Sequence, residues 1–404
     1  MNKNDEKSYV RNLAEKVSEI AKSRGNESII KRWRDVNALR KPDRAPVLCR
    51  PGYVWRELLP DDELRCADPM LKQIENELRQ VIIKHEIGDD SVVFDYTPVE
   101  AILDIDPPNI YGIGIDWHEA PVEGGAGSYA PVIKNCDDLD KLVMPVYSYN
   151  KKKTEERAEF INDVIGDILP PKIIVPIHEP ATICSPAADL LGLTEMMLCM
   201  ADEPELLHRL MAYLRDVALA TMEQKARIDV FTPNTDDVMY MSDEIDPLPG
   251  TKAGLKNCFG AGNSQEFDQV SPAMWEEFLL EYQKPIYERF GLAAYGCCEN
   301  LSNKIDGVLS IPNLRIFVCS AWTDLDKVIN KVEDKYAIMW RQKASDICFA
   351  DDITVIKKHL ESGCERMRGG FYQIVQRELY TLNGNLDRLH IWAELAKDAA
   401  AKYA

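Results

Sequence analysis

An α/β fold with a parallel sheet is predicted by three observations. Apolar strand-like runs alternate with longer helical segments, mostly in the order β then α. The chain has 404 residues and 46% hydrophobic content, enough to bury a large core. No Gly-x-Gly-x-x-Gly follows the first strand, which weighs against a doubly wound open sheet. Seven or eight such units fit one (β/α)8 barrel, expected over 45–404 behind an N-terminal helical extension over 1–44.

In chain order, Val10, Leu13, Val17 and Ile20 recur at helical spacing, and Ile29, Ile30 and Trp33 follow Gly25-Asn26. A helical layer of this kind caps a barrel or supports a homodimer. Ala45-Pro46-Val47-Leu48-Cys49 reads as a short strand stopped by Arg50-Pro51-Gly52. Further strands are expected at 91–95, 172–177, 228–232, 292–295, 314–318, 337–340 and 367–374. Helices are expected at 71–85, 154–168, 194–200, 203–226, 272–290, 324–330, 355–363 and 387–402. Asp106 to Asp137 reads as a long irregular region carrying Gly124-Gly125-Ala126-Gly127. No helix start follows closely, so this is a loop or lid rather than a phosphate cradle.

The net charge of −19 disfavours nucleic acid and anionic membrane surfaces as partners. No apolar stretch approaches the length of a membrane span, and Met1-Asn2-Lys3-Asn4-Asp5-Glu6 has no apolar region behind it. A cytoplasmic protein whose eleven cysteines stay reduced is expected.

In such a barrel the C-terminal strand ends carry the chemistry. Those ends read Asp95-Tyr96, His178-Glu179-Pro180, Asp236-Asp237, Gly296-Cys297-Cys298-Glu299, Cys319-Ser320-Ala321-Trp322 and Arg341. Thirty-nine residues separate Cys258 from Cys298. Two thiolates in a reducing compartment suggest a soft metal, most often zinc; the alternative is two buried free cysteines. Two thiolates and one carboxylate would leave a fourth zinc position for a substrate oxygen or water. Asp236 and Asp237 read either as ligands or as caps of the turn that follows. His178 is a ligand or a hydrogen-bonded loop histidine, and Glu179 a base, a support to a metal ligand or a turn residue. Cys297 and Cys298 would alternate faces on a strand, so only one should face the site. Tyr96, Trp117, Tyr240 and Trp322 either wall a substrate pocket or pack.

Over about residues 45 to 400 the chain resembles the uroporphyrinogen decarboxylase superfamily. The likeness rests on Arg50-Pro51-Gly52, on Phe267-Asp268-Gln269-Val270-Ser271-Pro272 before a helix, and on Gly384-Asn385-Leu386-Asp387-Arg388-Leu389. That superfamily is a (β/α)8 barrel and includes porphyrinogen decarboxylases and corrinoid-protein methyltransferases. The segment Arg50 to Arg56 lacks the decarboxylase arginine pattern. Tyr295 to Asn300 falls where methanol- and methylamine-type methyltransferases carry His-x-Cys-Gly, with Cys298 at the cysteine and Gly296 replacing the histidine. The closer likeness is to the zinc methyltransferases of anaerobic phenyl methyl ether O-demethylases, whose motif has an Asp, a Cys, thirty-nine residues and a second Cys. Cys258 and Cys298 match that cysteine spacing. The family's Asp position falls on Val230, beside Asp229, and Asp236, with Asp237 as alternative, suits a strand end better.

The resemblance implies methyl transfer from an O-methyl substrate, an aryl methyl ether first, to the cobalt(I) of a separate corrinoid protein. Zinc held by Cys258, Cys298 and Asp236 would activate the ether oxygen. Glu299, Glu179 or His178 would protonate the phenolate. The alternatives are a decarboxylase-type lyase on a polycarboxylate, a methylamine- or methanol-type corrinoid methyltransferase, and a non-catalytic binding protein.

Overall fold

The computed structural model describes residues 2–109, 111–114, 117–120, 122, 125, 127–350 and 352–404. Twelve strands occur among them: β1 (Val47–Cys49), β2 (Thr97–Glu100), β3 (Leu103–Asp106), β4 (Trp117–His118), β5 (Ser128–Tyr129), β6 (Val146–Tyr149), β7 (Pro171–Ile174), β8 (Phe259–Gly262), β9 (Leu292–Tyr295), β10 (Leu314–Cys319), β11 (Ala337–Arg341) and β12 (Phe371–Gln376). Six of these form one parallel sheet in the order β1-β12-β11-β10-β9-β8. Their runs are mostly apolar, interrupted by Arg315, Arg341, Gln373 and Gln376, because both faces are largely buried, as in a covered parallel sheet.

Successive side chains alternate between those faces. On one face Phe259, Ala261, Leu292, Ala294, Ile316, Val318, Met339 and Val375 meet Trp33, Val36 and the segment Val238–Met241. On the other, Ala293, Tyr295, Phe317, Ile338, Trp340 and Ile374 lie in the largest core, with helices Ile353–Arg366 and Arg388–Lys402 among its cover. A third core joins α1 (Lys3–Ala21) to helices Pro69–Ile87 and Lys151–Ile165 through Val10, Leu13, Val17, Leu71, Ile74, Leu78 and Ile161.

The hydrogen-bonded ladder differs from the expected ring of eight strands. β2 and β7 form a separate parallel pair, and no strand forms at 228–232 or 91–95. Side chains explain why. Asn234 takes the place of a neighbouring strand at β8: its amide donates to the Phe259 carbonyl and accepts from the Phe259 N–H, both at 2.9 Å. At the opposite edge the N–H groups of Val47 and Cys49 donate to the carboxylates of Asp90 and Asp89 at 2.8 and 2.6 Å. One backbone bond, Ala181 N–H to the Ala261 carbonyl at 3.0 Å, also reaches β8. Edge groups are satisfied as they must be, but by carboxylates and an amide rather than by further strand.

The described residues of 106–137 and its borders include two short strand pairs and a helix start. β3 pairs with β6 and β4 with β5, both antiparallel, and helix Cys136–Leu139 follows. The Gly124-Gly125-Ala126-Gly127 stretch falls partly outside the described residues. No helix of the described residues is long and apolar enough to cross a membrane.

α2 (Arg24–Asn37) starts at a Ser23 cap and seats Trp33 against the sheet. Trp33 is fully buried, and its indole N–H donates to the Asp90 carbonyl at 2.7 Å. Asp90 in turn accepts from Arg32 and Arg44 at 2.7 Å each. Trp33→Ala removes a buried aromatic and orphans that carbonyl. The expected loss is about 3–5 kcal/mol in chemical denaturation, and a loss below about 1 kcal/mol would show that α2 is not part of this core.

Candidate functional site

Parallel strands end on one side of their sheet, and the titratable groups of interest gather there. β9 stops at Tyr295, and Gly296 adopts φ +116°. A Cβ at Gly296 would also come within 3.0 Å of Leu301 and of the Val318 backbone oxygen. Only glycine fits, so the histidine of the related motif has no room here. The turn that follows brings the Cys297 and Cys298 sulfurs to 3.6 Å from each other. This corrects the expectation that only one of them faces the site. It assumed a strand running on through both residues, whereas the strand has already ended.

Arg341, the last residue of β11, is 3% exposed. Its Nη1 donates to the Cys297 sulfur and to the Glu378 carboxylate, each at 3.2 Å. Glu378 lies just past β12 at φ +58°, a conformation uncommon outside glycine. Among the described residues one group of three metal-competent side chains has all its ligand atoms within 4.8 Å of one another: Cys297, Cys298 and Glu378. The Cys298 S–H and the nearby Arg341 guanidinium pull the Cys297 thiol well below its usual range, and Cys298 correspondingly holds its proton. The pair therefore shares one proton, with the thiolate character on Cys297.

Glu299 is buried and fully engaged. Its oxygens accept from Ser264 N–H at 2.8 Å, Ser264 Oγ at 3.1 Å and Cys297 N–H at 2.9 Å. It braces the cysteine turn against the end of β8 instead of presenting a free acid. Glu179 accepts from Asn263 Nδ2 at 3.1 Å and from Thr182 Oγ1 at 3.3 Å, while His178 is exposed. Tyr240 is half-buried and stacks on Phe259 at 5.5 Å between ring centroids. Burial first, then the charges of Asp237 and Glu179, raise its phenol pKa, so it keeps its proton through the neutral range.

The structure separates Cys258 from Cys298. Cys258 lies immediately before β8, and its carbonyl accepts from Gly291 N–H at the beginning of β9. Cys298 comes after β9 ends. At least the length of that four-residue strand, about 13 Å, stands between the two. The Cys258 sulfur is buried, points to the Gly254 carbonyl at 3.7 Å, and burial pushes its thiol up to about 12. The thirty-nine-residue spacing measures one strand-to-strand repeat taken from the wrong end of the first strand.

The aspartates are likewise committed elsewhere. Asp236 accepts from Tyr96 Oη at 2.6 Å and Lys172 Nζ at 2.9 Å, with that ammonium 4.3 Å from the Tyr96 ring centroid. Asp237 pairs with Arg50 at 2.5 Å and caps the turn through Met239 N–H, the capping alternative. Both line a cavity of about 640 Å³ beside the thiol cluster. Tyr53, Trp55, Phe94, Arg377 and Glu378 share that lining. Trp322 sits past β10, largely exposed under Lys343, and Trp117 packs edge-on to Tyr129 in the β4–β5 pair. Sequence reasoning missed Glu378, and Tyr53 and Trp55 as wall residues. Glu378 follows the last strand in Gln376-Arg377-Glu378, a charged strand end like those already noted.

Glu299 yields a pH test. Burial raises its carboxyl pKa above the unfolded value, so the folded state binds more protons. The stability this contributes is complete below the ordinary carboxylate range and is lost as pH rises through the raised value. Glu299→Gln gives up an acceptor for Cys297 or Ser264 and should cost about 1–3 kcal/mol. The gap to wild type should narrow as pH rises through that window, and a gap that widens would rule out the raised carboxyl.

No family model matches the chain, and no curated protein matches it. A solved structure described as a methyltransferase from Methanosarcina mazei is similar to 92% of this chain over 98% of its own length, with a TM-score of 0.50 and 12% identity. At that identity the likeness concerns the path of the backbone.

Proposed function

We propose that this chain is a methyltransferase that moves a methyl group from an aryl methyl ether to the cobalt(I) of a separate corrinoid protein, with a zinc ion at Cys297, Cys298 and Glu378. The observation that carries this reading is the convergence of two thiols and a carboxylate beside an aromatic-lined cavity. In this reading β1, β2 and β7–β12 are the eight parallel strands of one barrel, and residues 1–44 are its helical extension. The methyltransferase named among the solved structures fits the same reading.

The donor set suits the metal. Two thiolates at ~2.3 Å from a tetrahedral zinc stand ~3.8 Å apart, and these sulfurs lie 3.6 Å apart. Glu378 adds a third, reachable donor of the type found in catalytic zinc sites, leaving a fourth position for substrate. Zinc bound there supplies a Lewis acid to the ether oxygen. Tyr53, Trp55 and Phe94 offer flat apolar walls to an aryl ring. A lyase acting on a polycarboxylate would need free cations in this cavity, but Arg50, Lys84 and Arg377 face Asp237, Asp89 and Glu378.

Purified protein should contain about one zinc per chain by elemental analysis. Cys298→Ala and Glu378→Ala should lose it, and Cys258→Ala should keep it. Wild type should methylate cob(I)alamin from methoxybenzenes, followed by the change in the corrin spectrum. Metal retained in Cys298→Ala, or lost in Cys258→Ala, would refute this donor set.

A further inference from the structure

Arg341 is a buried cation whose hydrogen bonds are unevenly spent. A guanidinium has five N–H donors. Both of its bonds to Cys297 and Glu378 leave from Nη1, and its Nε is buried with no partner. Unfilled donors on an enclosed charge are costly until an acceptor arrives. Both acceptors in contact with Nη1 are proposed metal ligands, so a bound metal would compete for the lone pairs the guanidinium now uses. Charge counting points the same way. With Cys297, Cys298 and Glu378 ionised the donor set carries three negative charges, and a dication leaves one. Without Arg341 that residual charge would oppose any further negative charge at the open position.

We propose that Arg341 binds the substrate oxygen that loses its methyl group and stabilises the negative charge that develops there. The inference rests on the methyltransferase reading above. In the step concerned the carbon–oxygen bond of the ether breaks and its electron pair stays on oxygen. The methyl carbon takes the electron pair of cobalt(I) on the partner corrinoid. The phenoxide so formed is the species Arg341 faces, and a charge-assisted bond to it is strongest as the charge forms.

Binding and turnover test this separately. Zinc-loaded wild type is titrated with 4-nitrophenol across pH, and the phenolate absorption reports the pH at which the bound phenol ionises. Wild type should hold the phenolate at lower pH than solution does. Arg341→Gln should lose part of that shift and keep only what zinc itself produces, Arg341→Lys should lose less, and a shift unchanged in Arg341→Gln overturns the proposal. In turnover, Arg341→Gln should lower kcat for methoxybenzene by about 10²–10³. For 4-nitromethoxybenzene, whose phenoxide needs less help, the loss should be under about tenfold. A purely structural role would slow both ethers equally, and that result overturns the proposal. So does a wild-type protein that shows no phenolate shift, which remains decisive even if the variants fail to fold. An Arg341-dependent phenolate shift in a protein that demethylates neither ether would support the oxyanion site and overturn the transfer reading instead.

Discussion

The parallel register of β8, β9, β10, β11 and β12 is the constraint from which the candidate site follows. Parallel strands deliver all their C-terminal ends to one edge, so whatever residues follow them become neighbours however far apart they lie in sequence. Arg341 and Glu378 come after different strands, and the two cysteines after a third. None of these groups would meet by local structure. The same register excludes Cys258, because a residue before a strand stays at the opposite edge from one that follows its neighbour.

A second constraint acts on that edge. Burying Cys297 and the Arg341 guanidinium beside Glu299 is unfavourable unless each finds a partner. Glu299 supplies part of the answer by fixing the cysteine turn with hydrogen bonds from its own chain and from Ser264. Arg341 supplies another part by facing Cys297 and Glu378 together. Backbone strain enters as well: Gly296 and Glu378 both sit at positive φ, one permitted by the absence of a Cβ and the other held against preference. Strain at Glu378, one of the three cluster residues, is of the kind found where position of a side chain matters more than local stability.

Much of this was legible in the chain itself. The strands β9 to β12 announce themselves as short apolar runs, whereas β8, with two glycines in Phe259–Gly262, does not, and the Tyr295-Gly296-Cys297-Cys298-Glu299 segment stands out at one of their ends. What misled was distance along the chain. Cysteine spacing is blind to which end of a strand a residue occupies, so Cys258 looked equivalent to Cys298. The strand expected at 228–232 failed for a different reason. Pro233 cannot donate to a ladder and Asn234 satisfies Phe259 through its side chain, so an apolar run there bends into turns. In that turn Asp236 and Asp237 pair with Lys172 and Arg50. Glu378 was hidden because nothing in a single charged residue distinguishes a ligand from a solvated surface group.

The corrected donor set also changes the meaning of Gly296. Read against a His-x-Cys-Gly pattern, the glycine is a missing ligand. In the folded chain it ends β9 at positive φ, and the turn that follows sets Cys297 beside Cys298. A neutral imidazole exchanged for a second thiolate makes the donor set more negative by one charge. With Cys297 buried, a donor set of that charge would oppose a developing phenoxide unless a fixed cation stood against it, and the buried Arg341 is such a cation. On the proposed reading the glycine, the second thiol and the buried arginine belong together: the turn after β9 creates an electrostatic need that β11's last residue meets.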